Sequence, residues 1–337
     1  MTRIHDVMQY LEAVAPPVYQ ADYDNSGLLV GDAGQEVQQV LCCLDCTEAV
    51  VEEAAAKGCN LIVAHHPIVF RGLKRFTGKH YVERVVMEAI RKDIAIYAIH
   101  TNLDSVYYEG VNSEIARRIG LEDTRILGPS GRMKQLSVQV AAGEGQALAG
   151  ELEKAGAGPF GKEQIACAIT PVHGGERVEA VFPEGRQSAL MQALKGLPVQ
   201  VAVLEGKSPM AGYGMIGRLS EPEDELAFLK SLKLKMGVEM IRHTPLLGRK
   251  ISTVAFCGGA GGFLLGAAQA QQADVFITAD YKYHEFFDAD GRLVIADIGH
   301  FESEQYTIPL LQKLISQKFS KFAVYATTVK TNPVRYL

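Results

Sequence analysis

The chain lacks a marked excess of either charge. Thirty-four Lys and Arg against 39 Asp and Glu leave a formal net charge of −5, which argues against a surface built to track nucleic acid or an anionic membrane. A long apolar span is also missing. The longest uncharged stretch, residues 252–273, is rich in Gly and Gln and is broken at Gly258-Gly-Ala-Gly-Gly262, so no membrane crossing is expected. The opening residues carry charge at Arg3 and Asp6 and run into an amphipathic helical pattern, which lacks the form of a secretory leader. Cysteine is scarce at loop positions. Cys42, Cys43, Cys46, Cys59, Cys167 and Cys257 lie mostly within apolar, strand-like runs, so reduced thiols in the cytoplasm are expected rather than a disulfide framework. Tandem repeats and low-complexity segments are absent as well.

What is present is the composition of an ordinary globular protein. With 337 residues, 47% hydrophobic and 22% charged, the chain exceeds what one compact core usually holds, which predicts two domains or one domain with an insertion. Apolar runs at 37–44, 61–64 and 94–99 alternate with helical periodicity at 47–57, 81–92 and 111–119. The alternation resumes with strands at 252–257, 275–278, 293–298 and 322–328 and helices at 263–270 and 303–317. Strands that are apolar throughout belong to parallel sheets covered on both faces, so the fold class is α/β with mostly parallel sheets covered by helices. Between these blocks, 136–141, 146–154, 164–170, 178–182, 186–194 and 199–204 read as strand, helix, strand, strand, helix, strand. That is the ferredoxin-like α+β order. Breakers at Gly128-Pro-Ser-Gly131 and Gly206-Lys-Ser-Pro209 bound an inserted domain at 132–207 within a discontinuous core of 1–131 and 208–337.

The chemistry-bearing residues gather at predicted strand ends. His65 and His66 follow the apolar run 61–64, Asp104 follows 94–99, and His300 follows 293–298 with Glu304 one helical turn on. Ligands of open α/β sheets settle at the carboxyl ends of strands, so residues this far apart in sequence are able to meet. Neighbouring side chains of an extended segment point to opposite faces, and Pro67 biases His66 toward that geometry. The adjacent pair therefore suits two metals better than one. Imidazole with carboxylate suits divalent Zn, Fe or Mn, and five side chains leave coordination positions open, as at a reactive or exchangeable site.

Weaker features surround this set. His284, after the strand 275–278, is a candidate catalytic proton donor or acceptor. His100 is read as a support for the metal-binding loop rather than a ligand. Cys43-Leu-Asp-Cys46 reads as buried core thiols, and Gly258–Gly262 as tight packing, because Leu264 stands where a dinucleotide fingerprint needs its third Gly. Arg71, Lys74, Arg75 and Lys79, in the loop after the histidine pair, are placed to steer a polyanionic substrate.

Five stretches resemble the Nif-three-like family, whose bacterial members are known as GTP cyclohydrolase 1 type 2 homologues. They are Asp24-Asn-Ser-Gly-Leu-Leu-Val-Gly31, Ala64-His-His-Pro-Ile-Val-Phe-Arg-Gly-Leu-Lys74, Ala98-Ile-His-Thr-Asn-Leu-Asp104, Thr278-Ala-Asp-Tyr-Lys-Tyr-His284 and Asp297-Ile-Gly-His-Phe-Glu-Ser-Glu304. The insertion resembles the PII-like domain of the longer members. The resemblance implies a dinuclear site held by His65, His66, Asp104, His300 and Glu304. It also implies a homohexamer, a trimer of dimers with the metal sites facing an internal cavity. Ala279 departs from the Gly found in many members, which predicts a different local turn.

The expected function is metal-dependent hydrolysis of a nucleotide-like or phosphorylated substrate. The alternative is delivery or buffering of metal ions without turnover, with regulation through the inserted domain. Neither a membrane nor a nucleic acid is an expected partner.

Overall fold

A computed structural model describes residues 1–158 and 167–337. The chain divides into two compact units, one formed by Met1–Gly128 with Tyr213–Leu337 and one by Pro129–Gly212.

The larger unit holds two mixed sheets. In the first, strands run in the order Gly27–Val30, Ala95–Ala98, Leu61–Ala64, Val40–Cys43 and Val324–Ala326. The last four are parallel, and Gly27–Val30 closes one edge antiparallel. In the second, the order is Arg242–His243, Val294–Asp297, Val275–Thr278, Lys250–Phe256, Gly212–Asp224 and Leu121–Pro129. Its three central strands are parallel and are flanked by antiparallel neighbours.

Alternation along the central strands explains why each is apolar at every position. Val40 and Cys42, Leu61 and Val63, and Ala95 and Tyr97 face one shared core. Val254 and Phe256, Val275 and Ile277, and Val294 and Ala296 reach the same core from the second sheet. The intervening residues Leu41, Ile62 and Ile96 pack outward on helices Glu48–Ala56 and Tyr81–Arg91. Ala255, Phe276 and Ile295 pack outward with Leu264, Leu265 and Ala268. Both faces are therefore dry, and each fully buried aliphatic or aromatic side chain contributes about 1.5–3 kcal/mol.

The expected mostly parallel architecture is thus corrected to a mixed one. The antiparallel strands that flank the parallel ones carry little apolar signal. Gly212–Asp224 includes Gly212, Gly214 and Gly217, and a Cβ at Gly217 would meet the Glu122 carbonyl oxygen at 2.9 Å on the neighbouring strand. Glycines that allow close backbone approach also erase the β pattern. The helix expected at 303–317 is two, His300–Glu304 and Thr307–Lys318. The first is the short turn that carries two of the candidate ligands.

In the smaller unit, the strands run in the order Cys167–Val172, Gly175–Pro183, Arg132–Val140 and Val199–Lys207, all antiparallel. Leu148, Leu152 and Leu190, from helices Gly145–Lys154 and Gln187–Ala193, pack with Leu136, Val138, Val178 and Phe182 of the sheet. The start of the strand expected at 164–170 lies outside the described residues. Among the described residues no helix is long and apolar enough to cross a membrane.

Candidate metal centre

The carboxyl ends of both parallel sets converge on one cluster. Backbone pairing continues past Ala64, with His65 N donating to the Cys43 carbonyl at 3.1 Å and His66 N to the Leu44 carbonyl at 2.9 Å. The two imidazoles therefore still alternate. His65 is fully buried, whereas His66 is only partly covered. The strand Ala95–Ala98 leads to His100 and the short helix Thr101–Ser105, which places Asp104. The strand Val294–Asp297 leads through Gly299 into His300–Glu304.

Four histidines share one arrangement: Nδ1 donates to a fixed acceptor and Nε2 remains for the cluster. His65 Nδ1 bonds the Ile99 carbonyl at 2.9 Å, His66 Nδ1 bonds Asp45 at 2.8 Å, His100 Nδ1 bonds Asp24 at 2.8 Å, and His300 Nδ1 bonds Asp280 at 2.6 Å. A carbonyl or carboxylate only accepts, so in each case Nδ1 carries a proton. Partners of this kind fix the orientation of metal-binding histidines. The motif beginning at Asp24 acquires its meaning here. Asp24 also accepts from Thr101 Oγ1 at 2.6 Å and Ser26 Oγ at 2.8 Å, which locks the residue that aims His100.

Inside the cluster, Glu304 Oε2 lies 3.0 Å from His66 Nε2 and 3.1 Å from His300 Nε2. The donor atoms of His65, His66 and His100, of His66, His300 and Glu304, and of His65, Asp104 and Glu304 lie within 4.8 Å of one another in each set. Burial opposes protonation of His66, but hydrogen bonds to Asp45 and Glu304 raise its pKa to about 9. His300 is raised to about 11 against burial by Asp280 and Glu304. Glu304 is held well below the usual carboxylate range despite its burial, because His300 and His66 donate to it. Burial pushes His65 down to about 3, with the neighbouring His66 charge adding to the effect. Asp104 is pushed up by burial and by Glu304.

His65 and Asp104 show what is missing from this balance. His65 Nε2 and Asp104 Oδ1 are buried, lack hydrogen-bond partners and lie 3.5 Å apart. With the His65 proton committed to Ile99, His65 Nε2 and an ionised Asp104 present lone pairs to each other, which costs about 1–3 kcal/mol per unsatisfied group. A cation between them satisfies both. The donor set therefore fits a divalent metal.

The glycine-rich turn makes room for the cluster rather than holding phosphate. The N–H groups of Gly258, Gly259 and Gly261 already donate to Asn112 Oδ1, Ser303 Oγ and Thr278 Oγ1. Gly259 has φ +63, and a Cβ there would collide with Glu304 Oε1 and lie 3.2 Å from His300 Nε2. Gly259→Ala is expected to destabilise the protein by about 1–3 kcal/mol through left-handed strain and to lower metal occupancy. Urea titration with elemental analysis checks both effects.

The structure brings His65, His66, Asp104, His300 and Glu304 together but leaves His284 out. His284 is exposed on the turn Tyr283–Ala289, with its ring against Tyr283, and is absent from the cavity wall. The left-handed residue after the strand Val275–Thr278 is Asp280, with φ +56. Ala279 is not in that region, so the missing Gly is tolerated. Asp280 supplies the contact to the site, and the chain beyond it turns away. The basic side chains of 71–79 are likewise outside the wall, where the permanent cation is Arg242. Cys43 and Cys46 are buried free thiols.

Sequence reasoning missed Asp45, Asp280 and Arg242, and the structure sets His100, read as a support, within one donor group with His65 and His66. Asp45 and Asp280 follow strands 40–43 and 275–278, so the strand-end rule that selected His65 points to them too. The cluster opens into a cavity of about 810 Å³ whose wall also holds Tyr23, Phe70, Tyr213 and Phe263.

Comparison with known proteins agrees in extent and fold. The family model described as Duf34/NIF3 (NGG1p interacting factor 3) matches residues 2–333. A Bacillus subtilis (strain 168) protein named GTP cyclohydrolase 1 type 2 homolog is 30% identical over 366 residues, covering 98% of each chain. A Halalkalibacterium halodurans protein of the same name is 31% identical over 366 residues, also covering 98% of each. The crystal structure of a Bacillus cereus protein related to NIF3 superposes with TM-score 0.84 at 30% identity, covering 100% of this chain and 99% of that one.

Proposed function

This chain belongs to the Duf34/NIF3 family, and on that premise we propose that it is a dinuclear divalent-metal protein that hydrolyses a nucleotide-like or phosphorylated substrate. The observation that carries the reading is the buried, unpartnered pair His65 Nε2 and Asp104 Oδ1 inside a cluster with six potential donor residues. His65, His66, Asp104, His300 and Glu304 hold two ions, Zn, Fe or Mn, and His100 adds a further imidazole. Paired divalent ions supply Lewis acidity and a nucleophilic water near neutral pH. Asp24, Asp45 and Asp280 keep the imidazoles aimed, and the cavity wall admits and orients the substrate.

Zinc- or manganese-loaded protein is expected to hydrolyse at least one member of a panel of nucleotides and phosphoesters, and Asp104→Ala is expected to lose that activity. Full metal content with no turnover of GTP or the panel would overturn the hydrolase reading.

The width of the cavity beside partly covered imidazoles favours a second reading, metal delivery without turnover. Transfer to an apo-acceptor no faster than spontaneous release would remove it. The PII-like inserted domain is proposed to regulate the cavity, and the assembly is proposed to be a cytoplasmic homohexamer. Light scattering of the full chain tests the latter.

A further inference from the structure

We propose that the cavity beside the metal cluster recognises a planar ring carrying a phosphate or carboxylate, with Arg242 as the anion anchor and Phe263 and Tyr213 as the wall that receives the ring. The inference rests on the cluster being a metal centre that faces a substrate cavity, and it deepens that reading.

Arg242 is placed by strand pairing. It lies directly opposite Asp297 in the antiparallel edge ladder, at the carboxyl end of the strand that leads to His300. Asp297 is buried, and its oxygens also accept from Gly299 N and Tyr281 N, both at 3.0 Å. Arg242 Nη2 bonds this fixed carboxylate and the Tyr281 carbonyl, and the guanidinium lies 5.5 Å from the Phe286 ring centroid. Nη2 is thereby held still. No hydrogen bond among the described residues uses Nε or Nη1, and the side chain remains 53% exposed. A guanidinium held through Nη2 keeps its Nε and Nη1 donors available to an oxyanion.

The charges of the wall sharpen the choice. Asp45, Asp104, Asp280, Asp297, Glu302 and Glu304 line the same cavity, and among the described residues Arg242 is the one permanent cation in its wall. Occupied metal positions would offset the acidic charge of the cluster, and Arg242, although paired with Asp297, would offer its remaining donors to an anionic group. The rings set the rest of the ligand. Tyr213 and Phe263 meet edge to face at 5.5 Å between centroids, and Tyr23 and Phe70 form a second pair at 6.3 Å. Phe263 is 67% exposed although it lines the cavity. Clustered exposed aromatics in a concave wall mark a ligand surface, and their faces stack on any planar ring.

The test uses calorimetric titration of zinc-loaded full-length protein with AMP, ribose 5-phosphate and adenosine. Arg242→Gln is expected to weaken AMP and ribose 5-phosphate about tenfold or more, the loss of a charged hydrogen bond, and to leave adenosine unchanged. Arg242→Lys keeps the charge beside Asp297 and is expected to show the same pattern with smaller amplitude. Phe263→Ala is expected to weaken AMP and adenosine about tenfold, as for loss of a stacking ring, and to spare ribose 5-phosphate. Wild-type affinities in all three variants, equal losses for all three ligands, or no AMP binding to metal-loaded protein at millimolar concentration would overturn the inference. The predicted selectivity without any hydrolysis would leave it standing while the hydrolase reading falls. Hydrolysis of ring-free phosphoesters without that selectivity would sink the inference alone.

Discussion

Glu304→Ala is expected to abolish binding of both metal ions together, and elemental analysis of protein purified without chelator reads the loss. Glu304 is 3% exposed, contacts His66 and His300 through one oxygen and belongs to two of the three donor groups. On the proposed dinuclear reading its removal deletes a ligand common to both positions, and it leaves two imidazoles without their acceptor. Loss of a hydrogen-bonding partner behind a ligand typically costs 10–100-fold in metal affinity, and a shared ligand is expected to exceed about 100-fold. Glu304→Gln keeps the volume but not the charge and is expected to fail nearly as badly. Circular dichroism at pH 7 distinguishes metal loss from unfolding. Retention of one tightly held equivalent would mean that the two positions are independent, and the dinuclear reading would fail.

The second large effect is the pH dependence of metal-free stability. His66 and His300 have folded pKa values raised above the ordinary 6.5, to about 9 and about 11. Their contributions are fully present below 6.5 and are lost as pH rises toward those values, because the unfolded chain releases its protons first. For His66 the rise from 6.5 to about 9 corresponds to roughly 3 kcal/mol at about 1.4 kcal/mol per unit. His65 has the opposite sign. Its folded value of about 3 means that stability is present above 6.5 and falls as the pH drops below it, since the unfolded chain takes up a proton that the buried ring refuses. Metal-free protein is therefore expected to be most stable near pH 6.5 and to lose several kcal/mol by pH 9. Metal loading reverses the alkaline arm, because coordination replaces those protons and strengthens as they leave. Urea titrations from pH 5 to 9, with and without zinc, check both limbs. A flat metal-free profile between 6.5 and 9 would show that His66 and His300 are not held protonated by Glu304 and their aspartate partners.

The parallel strands, and the gathering of His65, His66, Asp104, His300 and Glu304 at their ends, were legible in the sequence for one physical reason. A strand buried on both faces is apolar at every position, so its end is visible, and the carboxyl end of such a strand is where an α/β sheet presents ligands. Leu61–Ala64 followed by His65 and His66 illustrates both facts at once. The antiparallel strands Gly27–Val30 and Gly212–Asp224 were not legible, because half-exposed, glycine-bearing strands carry no comparable pattern. What only the tertiary structure decided was direction. Sequence position placed His284 and the basic residues of 71–79 near the site, and the left-handed turn at Asp280 together with the outward course of the loop after Phe70 carried them off the wall. The structure also set Arg242 beside the cluster, because an edge strand pairs across the sheet with residues more than fifty positions away. Sequence alone thus determined which potential metal-binding side chains gather at one place, since that follows from residue type at strand ends. The fold decided which groups face the ligand, since that depends on how distant backbones pair and turn.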